Sequence, residues 1–142
     1  MPTRRNYIRS VITRWTALGN LVVLYDDNHI SIEGDTAVSF SEDVLARYSA
    51  YGWNVDHVDM AADGSIDVHA LDAAMTRALA VTNKPTIIRV RNIIGWPSPK
   101  LQNTGKVHGS ALGDDEVKAT KKVLGVDPEK TFDVPSDVLA HT

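Results

Sequence analysis

The chain has 142 residues, the length of one domain, and 43 % of them are hydrophobic, which is enough for a sizeable core. Its formal net charge of −3 gives no support for a nucleic acid or an anionic membrane as a partner. The absence of cysteine excludes disulfides and thiolate metal sites and favours a cytoplasmic location, and no apolar run approaches the roughly 18 residues of a membrane span.

Residues 1–16 form a basic arm, since the first acidic residue of the chain is Asp26. The arm carries four arginines, at Arg4, Arg5, Arg9 and Arg14. Its apolar residues recur at helical spacing, at Ile8, Val11, Ile12 and Trp15. This pattern predicts a basic amphipathic helix from Tyr7 to Thr16. An organelle transit peptide, which is also Arg-rich and acid-poor, is an alternative, as is a misassigned start or a shifted reading frame.

An apolar run at 21–24 is followed by an acidic stretch. The run predicts a strand buried on both faces, as in a parallel sheet, ending at Tyr25. Asp26, Asp27 and Asn28 come directly after it, at the end of the strand where open α/β sheets bind ligands. Asn28 and nearby carbonyls suit magnesium, which prefers oxygen ligands. The alternative is that Asp26 and Asp27 simply end the strand and cap a turn.

The middle of the chain alternates predicted helices and strands. Ser41 is predicted to cap a helix that runs from Val44 to Tyr51 and ends at Gly52. A strand at 53–58 follows, and Asp67 is predicted to cap a second helix, after which comes a strand at 86–90. One face of that second helix carries Leu71, Ala74, Met75, Ala78 and Leu79. This order predicts an α/β fold with a parallel sheet and flanking helices.

Residues 92–113 have no apolar periodicity, and a loop of about 20 residues inside a domain is usually functional or disordered. Asp114 is predicted to cap a helix that ends near Leu124, with Gly125 just beyond it. The remaining residues, 126–142, are predicted to be an exposed segment with a short final helix from Ser136.

The stretch Tyr25–Thr36 resembles the strand-and-loop signature of transketolases, thiamine diphosphate enzymes that transfer two-carbon ketol units between sugar phosphates. Matching motifs follow in the family's order: Phe40-Ser41-Glu42-Asp43, Ala50-Tyr51-Gly52-Trp53, Lys84-Pro85-Thr86, Ile93-Ile94-Gly95 and His108-Gly109-Ser110-Ala111-Leu112-Gly113. The resemblance implies that residues 17–142 are part of the N-terminal, diphosphate-binding domain of that family, a partial thiamine diphosphate-binding fold.

The resemblance also implies a set of cofactor contacts. Asn28 and the backbone carbonyl of Ile30 match positions that bind magnesium, while Ile32 and Ile94 match apolar contacts to the thiazolium ring. His108 matches a histidine that approaches the cofactor diphosphate and the reacting part of the substrate, so it is both a cofactor-binding and a catalytic candidate. From position alone, the two isoleucines are core residues and His108 is a surface histidine. The other histidines are expected at the surface: His29, His57, His69 and His141.

Other parts of the family pattern are missing from this chain: the Gly-Asp-Gly aspartate that also binds magnesium, and the domain that supplies the activating glutamate across a homodimer. Our first interpretation is therefore a truncated transketolase of the pentose phosphate pathway, inactive as an isolated chain. One subunit of a split thiamine diphosphate enzyme, which needs a partner chain, and a non-catalytic remnant or binding module are the alternatives. Phosphoketolases and deoxyxylulose-phosphate synthases rank lower, because the Asp-Asp-Asn and His-Gly motifs are closer to transketolase.

Overall fold

The computed structural model describes residues 16–141, so most of the helix expected at residues 7–16 lies outside the described residues. The strands are β1 (Val22–Asp27), β2 (Ile30–Ser31), β3 (Gly34–Asp35), β4 (Asn54–Val58) and β5 (Thr86–Arg91). The helices are α1 (Val44–Ala50), α2 (Val68–Leu79), α3 (Asp114–Val123) and α4 (Ser136–His141). None of the helices within residues 16–141 has the length and apolar character needed to cross a bilayer.

Strands β1, β5 and β4 form a parallel sheet in that order, with β5 in the centre. Helices α1 and α2 both pack against β4 and β5, which confirms the predicted α/β fold. Because β5 has neighbours on both sides, its first three residues, Thr86 to Ile88, are at most 2 % exposed. Strands β2 and β3 form a separate antiparallel hairpin that follows directly after β1.

Strand β1 extends further than the apolar run predicted. Asp26 and Asp27 are its last two residues and pair with Val90 and Arg91 of β5. The expectation that they follow the strand is therefore wrong. Backbone pairing with β5 extends the strand, whatever the polarity of the side chains. Alternation along the strand then turns the Asp27 side chain inward, where the residue is only 7 % exposed.

The core lies between the sheet and α2. Val58, Ile88 and Val90 pack against Ala74 and Ala78, and all five are at most 6 % exposed. Partly buried residues complete the cluster: Val22, Ala70, Leu71 and Met75. The predicted apolar face of α2 is thus confirmed except at its end, because Leu79 is 69 % exposed.

Two of the three predicted helix caps are wrong. Helix α1 is capped by Asp43, whose carboxylate accepts a hydrogen bond from the Ala46 N–H at 2.9 Å, and Ser41 lies outside the helix. Asp114 is the first residue of α3 rather than its cap. The Asp67 cap of α2 is confirmed, since its carboxylate accepts from the backbone N–H of the residue three positions on, at 2.9 Å.

A buried carboxylate at the start of α3 holds the long loop 92–113. Glu116, 7 % exposed, accepts hydrogen bonds from the Ser98 hydroxyl and, at 2.7 Å, from the Lys100 N–H. Ser98 itself is fully buried. The loop is therefore ordered by a contact with a helix that follows it in the chain.

The far end of the same loop contacts the β2–β3 hairpin. Gly105 begins a short 3₁₀ turn, and a Cβ atom added there would lie 2.4 Å from the Ile32 carbonyl oxygen and 3.1 Å from that of Ser31. Only glycine permits this approach. His108 follows the turn, and its N–H donates to the Gly105 carbonyl at 3.1 Å.

We expect Asp67→Ala to lower the free energy of unfolding by about 1 kcal/mol, because it removes the side-chain acceptor at the start of α2. Urea denaturation followed by circular dichroism measures this. The matched control is Asp72→Ala on the exposed surface of the same helix. Equal losses in the two variants would contradict the capping role.

Gly105→Ala should lower the free energy of unfolding by about 1–3 kcal/mol, because the added methyl group overlaps the Ile32 carbonyl. Amide hydrogen exchange should become faster in residues 30–35 and 98–108, where the two segments separate. Ser110→Ala, at a nearby exposed position, is the control. Unchanged exchange in both segments would show that the close contact does not hold them together.

Candidate functional site

The described residues enclose a cleft of about 610 Å³ at the carboxyl ends of β1 and β5. Its walls are the end of β1 with the following turn, residues 25–30, the segment 35–37 after the hairpin, and the segment 40–45 that leads into α1. Arg89 of β5 and His108 of the long loop complete it. This is the location at which parallel α/β sheets bind ligands.

Three of the five predicted site residues line this one cleft: Asn28, Ile30 and His108. Asn28 lies in the turn after β1 and Ile30 is the first residue of β2, whereas His108 comes from a loop that leaves the neighbouring strand. The parallel pairing of β1 with β5 brings the two segments to the same edge of the sheet.

Hydrogen bonds hold the Asn28 side chain in one orientation. Its Oδ1 accepts from the Ile30 N–H at 2.9 Å, and its Nδ2 donates to Asp26 Oδ1 at 3.2 Å. The same carboxylate oxygen accepts from Asn92 Nδ2 at 2.6 Å. Asp26 therefore connects the turn after β1 to the start of the long loop, and sequence reasoning missed this contact.

The oxygen atoms at Asn28 are the type of ligand that magnesium prefers, but they supply only some of the ligands that the ion needs. An amide oxygen has two lone pairs, so Oδ1 of Asn28 keeps one after accepting the Ile30 N–H. Magnesium takes six oxygen ligands and usually keeps several waters. Within residues 16–141 there is no group of three or more His, Cys, Asp or Glu side chains that could hold a metal.

Asp27 is adjacent to Asn28, but its carboxylate faces two arginines and a histidine. Its carboxylate lies 3.8 Å from Arg89 Nε, 4.0 Å from Arg91 Nη1 and 3.1 Å from His29 Nε2. Arg91 Nη1 also donates to the Asp27 carbonyl at 2.8 Å. The charge of Asp27 is thus compensated inside the protein, and Asp27 is not a free ligand for a cation.

Burial raises the pKa of Tyr25, and the nearby Asp27 and Asp26 carboxylates raise it further. Tyr25, which lines the cleft, therefore keeps its phenolic proton at neutral pH.

His29 differs from the other histidines that were expected at the surface. It is exposed, as predicted, but it also lines the cleft, and its Nε2 lies 3.1 Å from Asp27 Oδ1. Its φ of 59° is unusual for a residue other than glycine. The position of His29 directly after Asp-Asp-Asn was the only sequence signal. His57, His69 and His141 are exposed.

The two predicted apolar contacts lie outside the cleft lining. Ile32 is in the tight turn of the hairpin and is 68 % exposed. Ile94 is half-buried at the start of the long loop, and its carbonyl accepts from the Asn103 N–H at 2.9 Å. Ile32 therefore presents a large apolar side chain to solvent at the end of the hairpin that also carries Ile30.

Comparison with known proteins gives consistent results. A family model described as "Transketolase, thiamine diphosphate binding domain" matches residues 10–142. The transketolase of Mycobacterium leprae is 54 % identical over 125 residues, which are 88 % of this chain and 17 % of that protein. The chloroplastic transketolase of Zea mays is 48 % identical over 93 % of this chain and 19 % of its own length. This chain thus spans about a fifth of the length of such relatives.

Solved structures agree in fold. A mutant transketolase of Pichia stipitis in complex with xylulose 5-phosphate has a TM-score of 0.90 and 41 % identity, over 99 % of this chain and 20 % of that one. The transketolase of Leishmania mexicana has a TM-score of 0.89 and 36 % identity, over 97 % of this chain and 20 % of that one. Since the family model and these relatives match nearly all of its residues, the chain belongs to the transketolase family, in the thiamine diphosphate-binding domain.

Proposed function

We propose that this chain is part of a transketolase that transfers a two-carbon ketol unit from a ketose phosphate to an aldose phosphate, with thiamine diphosphate and magnesium. The observation that carries the proposal is the meeting of Asn28, Ile30 and His108 in one cleft at the ends of parallel strands. We further propose residues 17–142 as the domain portion and residues 1–16 as a basic arm, of which the family model matches residues 10–16. A cytoplasmic location in the pentose phosphate pathway belongs to the same proposal.

Each residue has a role in this proposal. The Asn28 side-chain oxygen and the Ile30 carbonyl bind the magnesium that accompanies the diphosphate. Ile32 and Ile94 cover the thiazolium ring and exclude water from it. His108 donates a hydrogen bond to phosphate oxygens or to the substrate. The bound cofactor supplies the nucleophilic carbon and the electron sink for cleaving a carbon–carbon bond, and the protein supplies binding and orientation.

The remaining magnesium ligand comes from another part of the enzyme in this proposal. Asp27 faces His29, Arg89 and Arg91, and a neutral amide with a carbonyl leaves most of the charge of a dication uncompensated. An incomplete donor set is also what one subunit of a split enzyme would have, and that is the second candidate. Co-purification of a chain with the pyrimidine-binding domain would favour it, whereas a homodimer of one long chain is the family arrangement.

The isolated chain should bind no thiamine diphosphate up to millimolar concentration, with or without magnesium, and should show no ketol transfer in a coupled assay, because the donor set is incomplete. Isothermal titration calorimetry on the folded chain measures the binding. Magnesium-dependent binding that is lost in Asn28→Ala or His108→Ala would contradict this expectation and would show that half of the site is sufficient.

A chimera tests the function directly. The 125 matching residues of the Mycobacterium leprae transketolase are replaced by those of this chain, and ketol transfer should be retained. In this chimera, Asn28→Ala and His108→Ala should each lower kcat/KM by about tenfold or more, or ~1.4 kcal/mol of transition-state stabilisation.

His69→Ala, at an exposed position on α2, is the matched control and should leave kcat/KM unchanged. A folded chimera without activity would overturn the proposed function. Full activity in both Asn28→Ala and His108→Ala would overturn the assignment of the site.

A further inference from the structure

We propose that Glu116 is a positioning residue, which fixes the loop 98–108 and thereby holds His108 at the cleft. The role of His108 in this inference rests on the function proposed above. The ordering of the loop by Glu116 rests on the contacts alone. Glu116 itself does not line the cleft, so it acts through the loop and not on a ligand.

The first step is a buried carboxylate with several donors. Glu116 Oε1 accepts from the Ser98 hydroxyl and from the Lys100 N–H at 2.7 Å, while Ser98 Oγ accepts in turn from the Leu101 N–H at 3.2 Å. Glu116 lies in the first turn of α3, where the helix dipole favours a negative charge. Its neighbours Asp114 and Asp115 in that turn are exposed, so Glu116 is the buried acid of the three.

The charged state of Glu116 follows from these same bonds. The Ser98 hydroxyl, and then the Lys100 N–H, lower the pKa of the Glu116 carboxyl from its ordinary 4.5. Glu116 is therefore ionised at neutral pH, and hydrogen bonds to an ionised acceptor are among the strongest in proteins.

The second step is the path from Leu101 to His108. Thr104 Oγ1 donates to the Leu101 carbonyl at 2.6 Å, and the Asn103 N–H donates to the Ile94 carbonyl at 2.9 Å, so the middle of the loop is tied to its own start. The 3₁₀ turn from Gly105 then places His108 at the cleft. Each contact is local. Together they connect residues 98–101, which Glu116 fixes, to His108 at the cleft.

The experiment compares three variants of the chain with a matched control. Glu116→Ala removes the acceptor, Glu116→Gln keeps an acceptor oxygen but removes the charge, and Ser98→Ala removes the hydroxyl. Glu129→Gln is the control. Glu129 is an exposed acid outside α3 that pairs with Lys118, which lies in the same helix as Glu116. Amide hydrogen exchange and the ring resonances of His108 are measured in each, without any cofactor.

In Glu116→Ala, exchange in residues 98–108 should be faster by about tenfold or more, because bonds to an ionised acceptor are lost, while β5 keeps its protection. Ser98→Ala should show the same pattern, and Glu116→Gln an intermediate one. The His108 ring resonances should move with the exchange in these variants. In Glu129→Gln both should match the wild-type chain.

Wild-type exchange in the loop, or unmoved His108 resonances, in folded Glu116→Ala and Ser98→Ala would overturn the proposal. If Glu116→Ala does not fold, Glu116→Gln and Ser98→Ala decide, since each leaves one of the two side-chain partners in place. Loss of activity in the chimera, by contrast, would overturn the proposed function without changing this result.

Discussion

The parallel pairing of β1 with β5 is the constraint on which the rest of the structure depends. It aligns Asp27 with Arg91, so that residues more than 60 positions apart in sequence become neighbours. The connections that leave the sheet at this edge include the turn with Asn28 after β1 and the loop with His108 after β5. Their meeting in one cleft is a direct consequence of the register, because parallel strands end on the same side.

The two aspartates that end β1 have different partners at this edge. Asp27 turns inward and faces His29, Arg89 and Arg91, so its carboxylate is occupied by contacts within the protein. Asp26 is exposed and binds the amides of Asn28 and Asn92 instead. Successive side chains of a strand point to opposite faces. The Asp27 carboxylate therefore contacts the sheet, whereas the Asp26 carboxylate, one residue earlier, orients the side chain of Asn28.

The long loop shows how a segment without periodicity becomes ordered. Its bonds go to Glu116 of the following helix, to its own backbone and to the hairpin that Gly105 approaches. The order of such a loop depends on these few contacts. These three contacts together fix the segment that carries His108 to the cleft.

Periodicity and turn chemistry in the sequence were sufficient for the α/β class, the three parallel strands, the apolar face of α2 and the Asp67 cap, because all of these are local patterns of burial and hydrogen bonding. Local pattern was insufficient at Ser41 and Asp114, where neighbouring residues compete for one capping position. The motifs from Asn28 to His108 identified the family and the candidate site. Only the tertiary structure decided that β1 continues through Asp27, that His29, Arg89 and Arg91 surround that carboxylate, and that Glu116 holds Ser98, because each depends on a register or contact between segments that no local pattern specifies.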